Sequence, residues 1–412
     1  MESTSSFRHL AFFEELAKLE QGDSSWRLVS AGLVVMRLVD EWIVVGTDAV
    51  RSDSWGVSAV RDAIADVPET TPLRRILTAI VDCIVSAPSV DIHALVPRLM
   101  AYAQSLDYEA RWPLAADVYE TVVAHADPVS DADLVVSAFI QLAYCRRMLS
   151  EYDRAAAAYD AASRVAHAAG DLIGVLRGRL GDAKIAIARG NMPKADSILE
   201  ETIERAHLSG LDGIRSRALH DRAMVAGLRG NHERAVQLAY DALACTPPAL
   251  ERDRILNDIA TGLRYLGLHD AARDGYLVLA MTAREQYIRW MAELNLMELA
   301  ATQGIELQFD KYRRDLDAAD FTPLLRVTYL LHVGRGYHAL GNPETGIPYL
   351  ERAIEVATQY KLNQLFFECE AALSEARRKG VRREESRALS AEFDLQPVVD
   401  GIHKMRQLAE VS

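Results

Sequence analysis

The groups able to do chemistry are thinly spread along this chain of 412 residues. Its eleven histidines are scattered. None recurs at i, i+3 or i+4 beside another ligand-type residue, the spacing that a metal site on a helix needs. His220 and Asp221 come nearest to a pair, but adjacent residues of a helix do not share a face. There is no glycine-rich phosphate loop ending in Lys-Ser/Thr, no Gly-x-Ser-x-Gly, no His-Glu-x-x-His and no EF-hand loop. Cys83, Cys145, Cys245 and Cys369 lie far apart without ligand spacing and read as buried thiols in a reducing compartment. The expectation is a protein that is not an enzyme, with no catalytic residue, no metal and no cofactor.

Charge narrows the partners. The net charge is −13, from 46 basic and 59 acidic residues, which disfavours sequence-blind binding to nucleic acid or anionic lipid. The basic run Arg377-Arg378-Lys379 with Arg382-Arg383 is read as cations complementing the last turn of a helix, with Glu384 and Glu385 directly after it. The stretch Leu28 to Gly46 is long enough to span a bilayer. Arg37, Asp40 and Glu41 in its second half would each cost about 3 kcal/mol at depth. Sharing one face, these three can pair with one another, so the stretch reads as a helix buried in protein. The N-terminus shows no signal peptide, and a cytoplasmic location is expected.

The elements that carry these residues follow a beat. Ala115, Ala155, Ala195 and Ala235 are forty residues apart, and Ala272 follows at thirty-seven. So long and regular a period marks stacked helical repeats. Each copy opens with a small residue, usually glycine, where one helix stops and the chain turns: Gly190, Gly230, Gly267, Gly341. Five residues later comes the small residue, and four further on a larger one, as in Tyr159, Leu199, Tyr276 and Leu350. Ala239 breaks that pattern. The preceding helix carries the matching half, as in Leu330, Val333, Gly334 and Tyr337, or Leu256, Ile259, Ala260 and Leu263.

This grid resembles the tetratricopeptide repeat (TPR), and the period resembles the longer variants of regulators related to MalT. The resemblance covers roughly residues 89–360, about two-thirds of the chain. A first copy fits at Arg111 to Ala115 with Tyr119, and Pro247 falls where the family ends its second helix. The copy at Gly304, with Phe309 in the small position, is expected to be distorted. The resemblance implies an all-α fold: a right-handed superhelical solenoid of about seven TPR-like helix pairs, with helical caps at both ends. Residues 1–88 form an N-terminal helical block, as cap or degenerate repeats, with helices over 7–19, 24–45, 54–66 and 72–86. Thr71 and Pro72 make an Ncap and N1 pair. Residues 361–412 supply C-terminal capping helices, over 362–379 and near 396–410.

The resemblance also implies a groove lined by the first helix of each pair. On those positions fall Arg177, Arg217 and Arg254 in three consecutive copies, then His220, Asn257 and Lys184, then Arg147, Arg264 and His338, with Arg335 in the last copy. Tyr144 and Tyr265 interleave. Arginine presents a planar fork suited to carboxylate or phosphate. The competing reading is that Arg177, Arg217 and Arg254 pair with acidic residues of the preceding second helix, or are simply solvated.

A non-catalytic scaffold is therefore expected, binding a partner protein or peptide, acidic in character, in its groove. The alternative is a ligand- or peptide-responsive regulatory sensor of the MalT-like kind. No nucleic acid and no membrane partner is expected, and the oligomeric state is not legible.

Overall fold

The computed structural model describes residues 8–52, 54–360, 362–378 and 394–411. These residues form 21 α-helices and no strand. The chain divides into two compact units, residues 1–202 and 203–412, and the boundary falls inside one helix.

Unit 1 begins with a block of five helices: α1 (Leu10–Leu16), α2 (Ser24–Val45), α3 (Thr47–Ser52), α4 (Ser54–Ala65) and α5 (Pro72–Ser86). The long apolar α2 is the hub of the block and packs against α1, α4 and α5. Its Val35, Met36, Val39 and Trp42 are fully buried, so it is a core helix. Asp40 pairs with Arg8 and His9 rather than with the charges of its own helix. Thr71 sits at the Ncap of α5 with Pro72 behind it, yet its hydroxyl makes no cap bond.

Helix pairs follow, here called A and B. They are α6 (Ile92–Tyr108) with α7 (Trp112–His125), α8 (Ala132–Met148) with α9 (Tyr152–Ala168), and α10 (Leu172–Ala188) with α11 (Met192–Leu208). Unit 2, which takes the end of α11, continues with α12 (Asp212–Leu228) and α13 (His232–Ala244), α14 (Ala249–Tyr265) and α15 (His269–Thr282), α16 (Gln286–Thr302) and α17 (Glu306–Asp317), then α18 (Pro323–Ala339) and α19 (Pro343–Gln359). Two helices close the chain, α20 (Asn363–Ala376) and α21 (Gln396–Ala409). Arg382 and Arg383, and the expected helix stop at Gly380, lie outside the described residues.

The alanine beat explains the pairing. Ala115, Ala155, Ala195 and Ala272 each lie fully buried one turn into a B helix. Twelve residues earlier, on the A helix, stand Ala103, Ala143, Ala183 and Ala260, also fully buried. Small residues on both sides bring two helix backbones close, and a larger side chain there would overpack the contact by about 1–3 kcal/mol. The last copy takes this furthest, because a Cβ on Gly346 would meet the carbonyl oxygen of Gly334 at 2.6 Å. Ala235 differs. It faces Gly227, which has no side chain to cover it, and remains half-exposed.

The α16–α17 pair keeps its fold despite Phe309. That ring is fully buried, and Gly336 on α18 leaves the room it fills. A missing side chain on the next pair thus compensates for an oversized one, although α17 is shorter, at 12 residues, than its 17-residue partner. At the end of the stack α20 packs on α18 and α19. α21 instead lies against α15 and α13, on the B side of unit 2.

Candidate functional site

Each A helix is covered by its B partner and by flanking helices, which leaves one narrow accessible strip along it. On α14 the strip runs Leu250, Arg254, Asp258, Thr261, Tyr265, and on α12 it runs Gly213, Arg217, His220, Met224, Leu228. The steps of three or four residues are those of a single helical face. The strip is where the expected groove residues divide into different roles.

In unit 1, Arg177 occupies the sixth position of α10, half-buried, with Nη1 donating to Ser137 Oγ on α8 at 3.5 Å. Tyr144 lies on the α8 strip beneath Arg147, whose guanidinium carbon stands 5.2 Å from the ring centroid. Arg147 itself is half-buried, and its Nε has no hydrogen-bond partner. Lys184 is half-buried on the α10 strip.

In unit 2, Arg217 and Arg254 hold the sixth positions of α12 and α14. Arg217 pairs with Glu251 at the start of α14. Arg254 is exposed and forms no ion pair or hydrogen bond among the described residues. His220 Nε2 meets Asp258 at 2.8 Å, again linking α12 to α14. Asn257 is half-buried and its Nδ2 donates to Asp258 at 3.4 Å. Tyr265, half-exposed, stacks on His232 at 4.8 Å between centroids and carries Arg264 over its ring at 4.9 Å.

Arg264 is not on the strip. It turns inward, 3.2 Å from Glu298 of α16, and Glu298 also meets His332 of α18 at 3.3 Å. Burial alone would raise the Glu298 pKa, but His332, Arg264 and the exposed Arg335 together hold it down at about 2. This ionic cluster ties three successive A helices together. His338 is half-buried, with its Nδ1 unpaired. The structure thus brings Arg264 and Arg335 around one carboxylate, links Arg217 and His220 to α14, and leaves Arg254 open.

A second polar centre, in unit 1, went unseen in the sequence. His9 is buried between Asp40 of α2, at 3.2 Å, and Asp117 of α7. Its backbone is left-handed, with φ at 61°, a conformation costly for a residue with a Cβ. Burial works against charge on the imidazole, yet the hydrogen bonds and charges of Asp117 and Asp40 raise its pKa to about 9. An open cleft of about 940 Å³ adjoins it, lined among others by Arg8, Glu14, Glu120, His125, Arg146 and Arg154. Burial and the nearby Arg8 push the His125 pKa down. Arg146 in turn bridges Glu120 and Glu151.

Histidine–carboxylate pairing between helices recurs: His93 with Asp131, and His403 with Asp274, besides those above. The only sequence signal for it was the number of histidines itself. Among the described residues no group of three or more His, Cys, Asp or Glu is placed to hold a metal ion, and no helix is long and apolar enough to cross a membrane.

No family model matches the sequence, and no curated protein matches it. Among solved structures the chain is similar to the Rap conjugation gene regulator of the plasmid pLS20 in complex with the Phr* peptide. The TM-score is 0.45 at 11% identity, covering 82% of this chain and 97% of that one. It is similar to NprR in complex with its cognate peptide NprX, with a TM-score of 0.45 and 12% identity over 84% of this chain and 91% of that one. A signal transduction ATPase with numerous domains and a tetratricopeptide repeat sensor, from Pyrococcus horikoshii, gives 0.46 and 12% over 76% of this chain and 54% of that one. The helix pairs of this chain, most of them joined by glycine turns and packed through small-residue contacts, form an all-α helical repeat.

Proposed function

We propose that the protein is a non-catalytic docking scaffold, acting in the cytoplasm, that holds a peptide or a segment of a partner protein along the A-helix strips. The partner carries acidic groups. One observation supports this above the rest: Arg254 is exposed on a strip, without an ion pair or hydrogen bond among the described residues, in a chain of net charge −13. An arginine without such a partner among the described residues is available to a carboxylate from outside. Arg217 and Arg177 already have neighbours and contribute as edges of the same kind of surface, each within its own unit.

The apolar groups beside Arg254 suit an extended chain with mixed side chains. Leu250 and Tyr287 are exposed at the starts of α14 and α16, and Met224 on α12. Specificity then comes from many shallow contacts rather than one deep pocket.

The test is affinity capture from native cytosol with wild type beside Arg254→Glu and beside the triple charge reversal of Arg177, Arg217 and Arg254. Arg254→Glu is expected to weaken the principal partner by about fivefold to tenfold, and raised salt to weaken wild-type binding in the same direction. Identical partners at identical yield from all three proteins would sink the proposal while leaving the fold intact.

A further inference from the structure

The B side of unit 2 carries a contact that the A-helix strips do not explain. α21 lies across α15 and α13 with Val398 and Ile402 fully buried and Leu395 buried at its start. One glycine permits the approach: a Cβ on Gly401 would strike the hydroxyl of Tyr240 on α13.

Beside this seat lies Asp274 of α15, only 7% exposed. Both its partners come from α21: His403 Nδ1 at 3.0 Å and Arg406 Nη1 at 2.5 Å. Among the described residues nothing on α13 or α15 pairs with this carboxylate. A shielded acid whose counter-charges among the described residues all belong to one helix makes the seat selective. Whatever replaces α21 must bring a cation to the same place, or leave a poorly solvated carboxylate alone.

We propose that this face of α13 and α15 is a receptor site for an amphipathic helix of a partner protein, and that α21 is its built-in competitor. The fitting helix has apolar residues four apart, a small residue just before the second, and an arginine four residues after it. That is the pattern Val398, Gly401, Ile402 and Arg406. The site is on the opposite side of the helix pairs from the strips and stands or falls independently of them.

The test uses the full chain and a fluorescent peptide of residues 394–411. Arg406→Glu sets a second carboxylate beside Asp274, and Ile402→Asp puts a charge into the apolar seat; either change displaces α21. Each variant is expected to bind the peptide at least about tenfold more tightly than wild type, in which the tethered helix competes at high effective concentration. Adding Asp274→Asn to either variant is expected to weaken the peptide about tenfold. Hydrogen exchange should quicken in α21 of both variants while α12 to α19 keep their protection. Equal peptide affinity for all chains, indifference to Asp274→Asn, or loss of protection throughout α12 to α19 would each overturn the proposal. The last result would make α21 part of the core rather than a displaceable occupant.

Discussion

His9 in unit 1 and Glu298 in unit 2 are mirror images in charge. His9 is one base between two carboxylates, and Glu298 is one carboxylate between a guanidinium and an imidazole. Burial opposes the charged form in both, and the neighbours win in both. The minority group in each cluster is the one held charged, and it decides the direction from which pH attacks. The folded pKa of His9, about 9, lies above its usual 6.5. Its contribution is complete below pH 6.5 and is lost as pH rises through 9. The folded pKa of Glu298, about 2, lies below its usual 4.5. Its contribution is complete above pH 4.5 and is lost as pH falls through 2.

The largest effect should come from Glu298→Gln. Arg264 and His332 would lose the carboxylate they share, at a cost of about 2–4 kcal/mol, because both retain some contact with solvent. Denaturant unfolding measures the loss, and hydrogen exchange should place it in α14, α16 and α18 while α1 and α2 are unaffected. A loss below about 0.5 kcal/mol would mean that the cluster is only a solvated surface network.

His9→Ala should cost about 1–3 kcal/mol by leaving Asp40 and Asp117 without the imidazole they share, with fraying confined to α1, α2 and α7. The same variant sharpens the pH contrast. Wild-type protection in α1 should decline between pH 6.5 and 9, a decline absent from His9→Ala. If both proteins behave alike across that range, His9 is neutral in the folded state and the mirror relation is broken. The smallest effect belongs to Arg254→Ala, which should change stability by no more than about 0.5 kcal/mol. A larger loss by thermal melting would show that this arginine is structural and unavailable to a partner.

The register of the repeats was legible because it is written in small residues. Ala103 and Ala115, or Gly334 and Gly346, permit close backbones, and no other residue type substitutes cheaply. Helix ends were legible for the same reason: turn glycines such as Gly190, Gly230 and Gly341 have positive φ. Compensation was not. Phe309 marked its copy as distorted, but the relief comes from Gly336, a residue of the following pair.

Pairing partners were equally hidden. The expected arginine row divides, with Arg217 tied to Glu251 and Arg254 open, and what distinguishes them is the placement of Glu251 on the neighbouring helix. Arg264 met the family pattern for a groove residue and yet serves the Glu298 cluster. Asp40 found its partners just before α1, over thirty residues away, and Asp274 found His403 and Arg406 well over a hundred away. Local spacing carries no information about contacts that distant.

The small-residue contacts within each pair do not use the sixth residue of an A helix, which is half-buried in α8, α10 and α16 and exposed in α14. In α8, α10, α14 and α16 that position reads Ser137, Arg177, Arg254 and Met291. Polar, cationic and apolar side chains thus occupy equivalent places while the joints beneath them stay intact. Such a chain can be rewritten one letter per copy, like type set in a fixed frame, and acquire a new correspondent without having to learn to fold again.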